Sequence, residues 1–414
     1  MSPSKEDIHK FTLDLHQVVA QSQRPETLPD VARALAMALR AVGIPVDRLQ
    51  LPLSILFGLK HPVYAGIILT WTDGQGSNAW LRPRSEVDRE DSLTTLRKSP
   101  FAAVVLDGAP SVRMHRGTPE WDEQPLLSRL GEAGFTDYLA TVTELPDGAR
   151  QVVSIATRSP GGLGESVEAT LDGLCPVLSL ALFGIYQSQT SFQIATTYLG
   201  QHTGRLVMEG QMGRGRSEAM RAAIAFMDIR EFTRLSNELG VEGMVPLLNA
   251  SFEAIDEAVR PLRGEMLKFM GDAALVVFPR TEDGDTPLIE IIDAILTAID
   301  EVGRRTAPLG TTIRVGVGLH IGDVLYGNVG AKGRHDFTVM GPAVNLASRL
   351  EGLTKQFSTD LVVSEQIATA CRDTCGSPEE AAARLDASVS RRGPVSVKGE
   401  PRPLSVWTIQ RKRD

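Results

Sequence analysis

Residues 226–236 read FMDIREFTRLS, and residues 267–278 read LKFMGDAALVVF. In the first stretch an apolar run from about 221, RAAIAFM, ends at Asp228 and gives way to helical patterns at about 232–240 and 242–260. In the second, Gly271-Asp272 interrupts alternating apolar residues, the pattern of two strands joined by a tight turn. A helical pattern at about 285–304 follows, then the strand-like runs TIRVGVGLHIG and DVLYGNVG. Strand–helix–strand–strand–helix–strand is the order of a ferredoxin-like core. DFTVMG adds another strand, and PAVNLASRLEGL a helix with Pro342 in its first turn.

If the strand ending at Asp228 pairs with the strand after the turn, Asp228 and Asp272 converge. Two carboxylates about 4–6 Å apart raise each other's pKa unless cations lie between them. Two divalent ions about 3.5–4 Å apart are the usual device for in-line displacement at phosphorus. The helix opening after Asp228 offers free N–H groups to phosphate oxygens. Taken singly, an Asp before a helix is a cap and an Asp in a hairpin turn is structural. Asn345 and Arg349, four apart on a helix, share one face. An amide and a guanidinium aimed at one spot orient a sugar and neutralise a developing phosphorane, although by themselves they read as a solvated face.

FMDIREFTRLS, LKFMGDAALVVF, GVGLHIGDVLYGNVG, FTVMGPAVNLASRLE and PVSVKGEPRPLSVW occur in one order over about 190 residues, roughly 221–410. In that order they resemble the class III adenylyl and guanylyl cyclases. The resemblance implies that Asp228 and Asp272 bind two Mg²⁺ or Mn²⁺ ions per site, with the backbone carbonyl of Ile229 a further ligand. It implies that the N–H groups of Phe232 and Thr233 hold phosphate, that Asn345 orients the ribose and that Arg349 stabilises the pentavalent α-phosphate. Lys398 resembles the lysine that grips the triphosphate, and Arg334 sits where a side chain reaches the terminal phosphate. Lys268 and Thr338 stand at the base-reading positions. Lysine donates to adenine N1 and the threonine hydroxyl accepts from the 6-amino group, whereas guanine's N1–H and N2 amine want acceptors. ATP is therefore the expected substrate and cyclic AMP the product. The family builds its sites at a dimer interface, so a homodimer with two equal sites is expected.

Two positions depart from the family pattern. Glu231 stands where many members carry glycine and would crowd the phosphates if it pointed inward. Pro342 replaces a frequent Asp or Asn and suits a helix start. A guanylyl cyclase would need other residues at 268 and 338. A silent nucleotide-binding regulator would lack a metal Asp, the Asn or the Arg, and all are present.

Composition bounds the rest. The chain has 414 residues, enough for two or three domains, with 42% hydrophobic and 23% charged residues. A net charge of -8 argues against a nucleic-acid partner. Three cysteines, Cys175, Cys371 and Cys375, form neither a disulfide framework nor a zinc site. The N-terminus has no apolar signal region, and the longest apolar run, LCPVLSLALFGIY at 174–186, is 13 residues, short of the ~20 that span a bilayer. A cytoplasmic chain without a transmembrane segment is expected.

Upstream, LPDVARALAMALRAV is an amphipathic helix, YAGIILTW a strand, EQPLLSRLGEAG a helical pattern, and YLATVTEL–PDG–ARQVVSIAT a hairpin. The fold expected is α+β: a GAF/PAS-like sensor module over 1–164, a long helix and signalling linker over 165–218, and a ferredoxin-like class III cyclase domain over 219–414. Residues 200–218, rich in glycine and small polar residues, read as the linker between the domains. The module would take a small-molecule or protein regulator that the sequence does not name.

Overall fold

The computed structural model describes residues 4–21, 28–54, 66–72, 75–81, 94, 97–210, 217–280, 286–331 and 334–412. Met1–Ile194 form one compact unit and Ala195–Asp414 a second.

The first unit holds helices α1 (Lys5–Gln21) and α2 (Leu28–Ala41), strands β1 (Arg48–Ser54), β2 (Gly66–Thr72), β3 (Gln75–Leu81) and β4 (Ser111–His115), helix α3 (Pro125–Glu132), and the hairpin β5 (Asp137–Glu144) and β6 (Arg150–Thr157). The strands form one sheet in the order β3-β2-β1-β6-β5-β4. Phe11, Leu35, Leu39, Leu49, Trp71 and Ile155 are buried together on one face. Trp121, Leu127, Phe135, Tyr138, Ala140 and Val152 are buried on the other.

Helix α4 (Val167–Leu199) has 33 residues, and an 18-residue window within it reaches a mean hydropathy of 1.5, so by length and composition alone it is apolar enough to cross a membrane. The uninterrupted apolar run is shorter than this helix because isolated Ser, Gln and Thr break the run without breaking the helix. Its residues Val167, Leu171, Leu174, Leu178, Leu182 and Ile185 recur at helical spacing and are buried in the core of the first unit.

The second unit runs α5 (Gln201–Met208), β7 (Ser217–Ile229), α6 (Phe232–Val259), β8 (Glu265–Met270), β9 (Ala273–Arg280), α7 (Leu288–Thr306), β10 (Val315–Ala331), β11 (Arg334–Met340), α8 (Pro342–Phe357), β12 (Leu361–Ser364), α9 (Glu365–Cys375), α10 (Pro378–Arg384), β13 (Ala387–Val395) and β14 (Leu404–Arg411). The sheet order is β13-β14-β12-β10-β7-β9-β8, with β11 paired to β10. The four consecutive strands β10-β7-β9-β8 have the ferredoxin-like order. Strand β7 is apolar almost continuously because both its faces are covered. Ala223, Ala225 and Met227 are buried with residues of α6 and α7. Ala222 and Ile224 are buried with Ala343 and Ala347 of α8. Helix α8 comes so close to β10 that a Cβ on Gly318 would strike Ala347 O and Glu351 N.

Two expectations change. Residues 316–330 are one strand, not two, since β7 pairs with β10 from Ser217↔Gly327 through to Ile229↔Val315. The ladder overrides the break that Gly322-Asp323 suggests. The segment read as the linker between the domains is partly built into the second unit, where Gln201–Met208 is helical with Thr203 and Gly204 buried. Helix α6 breaks at Gly240 (φ 70°, ψ 171°), matching the two helical patterns.

Candidate active site

Asp228 is the penultimate residue of β7 and Asp272 lies in the turn between β8 and β9. The pairing Asp228↔Ala273 sets them side by side, and Ile229 N–H donates to Asp272 O at 3.4 Å. Burial, then the neighbouring Asp228 carboxylate, push the Asp272 carboxyl above the usual carboxylate range, while Lys355 acts the other way. The Lys355 ammonium donates to Asp228 Oδ2 at 3.3 Å.

Behind this pair is a buried carboxylate, Glu351. Burial and then Asp228 raise its pKa, against the pull of Lys355 and Arg230. Arg230 is anchored by its guanidinium to Thr359 O at 2.7 Å. Lys355 and Glu351 were not singled out in the sequence. Their i,i+4 spacing on α8 was the available signal.

The donor set suits a hard divalent cation. Two carboxylates and the nearby Ile229 carbonyl are oxygen donors of the kind Mg²⁺ and Mn²⁺ take. Among the described residues no cluster of three or more His, Cys, Asp or Glu side chains forms a metal cage. Remaining coordination would fall to water and substrate phosphate.

Glu231 lies between these carboxylates and helix α6, in the left-handed region (φ 58°, ψ 26°). That conformation explains why glycine suits the position. Its carboxylate does not stand free, because Arg234 donates to it at 2.7 Å and both side chains are exposed. Phe232 and Thr233 form the first turn of α6, and the first intrahelical bond is Leu235 N–H to Glu231 O at 3.0 Å. The N–H groups of this first turn have no intrahelical acceptor.

Lys268, on β8, pairs with Asp336 on β11. Thr338 is two residues further along β11, opposite Gly327, and therefore on the same face as Asp336. The two positions expected to read the base thus lie on elements in contact. Asp336 was missed because nothing local links it to Lys268.

Asn345 and Arg349 rise from α8, which starts at Pro342 as expected. Arg349 Nη1 is 3.7 Å from Glu400 Oε1. A Cβ on Gly399 would lie 2.8 Å from Arg349 Nη2. The loop carrying Lys398, which is exposed, therefore lies against Arg349. Arg334 opens β11 opposite Ala331, and its side chain is outside the described residues. Cys371 and Cys375 are free thiols one turn apart on α9.

Residues 216–411 match the family described as the adenylate and guanylate cyclase catalytic domain. An adenylate cyclase of Anabaena cylindrica is 32% identical over 203 residues, which cover 47% of this chain and 38% of that protein. The chain thus spans well under half the length of this curated relative. Among solved structures, the adenylyl cyclase CyaB from P. aeruginosa is 25% identical with a TM-score of 0.39, covering 48% of this chain and 97% of that one. The guanylyl cyclase Cya2 is likewise 25% identical with a TM-score of 0.39, over 48% of this chain and 95% of that one.

Proposed function

Residues 216–411 belong to the adenylate and guanylate cyclase catalytic-domain family, and from that premise we propose that the chain is an adenylate cyclase converting ATP to 3′,5′-cyclic AMP and pyrophosphate. The observation that carries the chemistry is the convergence of Asp228 and Asp272 beside the N-terminus of α6. Divalent Mg²⁺ or Mn²⁺ ions bound there would lower the pKa of the ribose 3′-hydroxyl and neutralise the departing pyrophosphate.

The chain's own residues do the positioning. The Phe232 and Thr233 N–H groups hold phosphate oxygens, and Asn345 orients the ribose for in-line attack on the α-phosphorus. Arg349 stabilises charge on that phosphorus, and Lys398, with Arg334, holds the triphosphate. Lys268 and Thr338 read adenine, the lysine donating to N1 and the threonine hydroxyl accepting from the 6-amino group, which supports ATP over GTP. Asp228 contacts Lys355, Lys268 contacts Asp336, and Arg349 contacts Glu400 and lies beside Gly399. These three separate sets support a site completed by the second subunit of a homodimer.

The first unit, a six-stranded antiparallel sheet with helices packed on it, fits a GAF/PAS-like module that regulates the cyclase through a small molecule or protein. ATP as the substrate supports a cytoplasmic location for the catalytic unit.

The test is cyclic-nucleotide production by the full chain from ATP and, separately, GTP, with Mg²⁺ or Mn²⁺, beside an Asp272→Ala control. Cyclic AMP that vanishes in the control supports the reading. Cyclic GMP as the main product overturns the base assignment and leaves the carboxylates' role intact. No product from either nucleotide would favour a silent nucleotide-binding regulator.

A further inference from the structure

The first N–H groups of a helix need acceptors, usually from the side chain that precedes it. Helix α5 is preceded by Gly200, which has no side chain to offer. The acceptor comes instead from another element. Glu265, the first residue of β8, accepts the His202 N–H at 3.0 Å and also bonds the Thr203 N–H. A carboxylate there also meets the positive end of the helix dipole.

The same carboxylate binds the sheet. Tyr326 on β10 donates to Glu265 Oε2 at 3.3 Å, and its hydroxyl is 3.0 Å from the buried Thr203 Oγ1. The His202 ring lies 5.4 Å from the Tyr326 ring, and Leu206 packs into the apolar cluster that holds Tyr326 and Val339. Burial raises the Glu265 pKa, so keeping a carboxylate here costs desolvation.

This clasp is fastened to the strands that read the base. Glu265 is three residues before Lys268 on β8, with a register shift between Met266 and Lys268. Tyr326 meets Phe337 edge-on at 4.5 Å, and Phe337 lies between Asp336 and Thr338 on β11. Moving α5 therefore pulls on both strands at once.

We propose that Glu265 is a positioning residue that clamps the start of helix α5 to β8 and β10, so that the placement of this helix sets the geometry of Lys268 and Thr338. This rests on the adenylate cyclase reading and names the point at which the segment leading into the catalytic unit acts on base recognition.

The test uses the full chain as wild type, Glu265→Ala, Glu265→Gln and Gly200→Ala. Hydrogen–deuterium exchange of residues 201–208 is measured beside steady-state kinetics with ATP and GTP. A Cβ at residue 200 would strike Glu265 Oε1, so Gly200→Ala opens the clasp without altering the carboxylate and stands in if Glu265→Ala fails to fold. The expected result is amide exchange about tenfold faster in Glu265→Ala, with KM for ATP raised about threefold or more, a weaker preference for ATP over GTP, and kcat within about twofold. Glu265→Gln, which keeps an acceptor oxygen, should recover most of the protection and of the KM. Faster exchange with unchanged KM and selectivity would make the clasp structural only and overturn the proposal, as would unchanged exchange in both clasp variants. An inert wild type would remove the cyclase reading and this inference together; an active wild type with indifferent variants removes this inference alone.

Discussion

Lys355 Nζ lies 3.3 Å from Asp228 Oδ2, so the paired carboxylates already have a counter-ion supplied by the chain. A divalent cation binding Asp228 must compete with that ammonium. Lys355 is 59% exposed, which limits the pair to about 0.2–1 kcal/mol. Lys355→Met should therefore lower the Mn²⁺ concentration for half-saturation by about two- to fivefold, as read by electron paramagnetic resonance of free Mn²⁺. Weaker Mn²⁺ binding would show that the lysine supports the metal-bound state instead.

Glu231 holds a left-handed conformation, which costs a non-glycine residue about 1–2 kcal/mol. Glycine would relieve that, but would lose the exposed Arg234 pair and add unfolded-state entropy. The stability of Glu231→Gly should stay within about 1 kcal/mol of the parent. Its kinetic effect should be larger, because a negative charge leaves the mouth of the phosphate turn. KM for ATP should fall about two- to fivefold with kcat little changed. An unchanged KM would mean that Arg234 already neutralises the carboxylate.

Gly399 has φ +77°, and Arg349 Nη2 lies 2.8 Å from where its Cβ would be. Gly399→Ala thus strains the backbone and displaces the guanidinium. Loss of Arg349 alignment should appear mainly in kcat, by about tenfold or more, since the role proposed for its charge is in the transition state. Steady-state kinetics with ATP would check this. A raised KM at normal kcat would instead assign the loop to ground-state binding.

What could be read in the sequence was what local pattern encodes. The β8–β9 hairpin showed as alternating apolar residues about Gly271-Asp272, and Asn345 and Arg349 as an i,i+4 pair. Long-range partners left no such trace. Lys355 is 127 residues from Asp228, and His202 is 63 residues from Glu265. The glycine-rich stretch after 200 looked like a linker because its cap is supplied from a distant strand. Residues 316–330 looked like two strands because the ladder with β7 is invisible locally.

His320 on β10 is buried, with Nδ1 2.9 Å from Ser364 Oγ. Burial, and then the Arg221 charge, hold its pKa down to about 4. In the unfolded chain the ring titrates near 6.5. Between those values the unfolded state binds the proton and the folded state does not, so stability falls as pH drops through this window and is flat above it. The contribution between pH 7.5 and pH 5.0 should be roughly 2 kcal/mol. The raised pKa values of Glu265 and Glu351 work in the opposite direction. His320→Gln keeps a polar partner for Ser364 and leaves those groups in place, so the difference between the two proteins isolates the imidazole. Urea unfolding at both pH values should find the variant less stable at pH 7.5 and the gap closed or reversed at pH 5.0. A gap independent of pH would mean that His320 charges in the folded state as readily as in the unfolded chain.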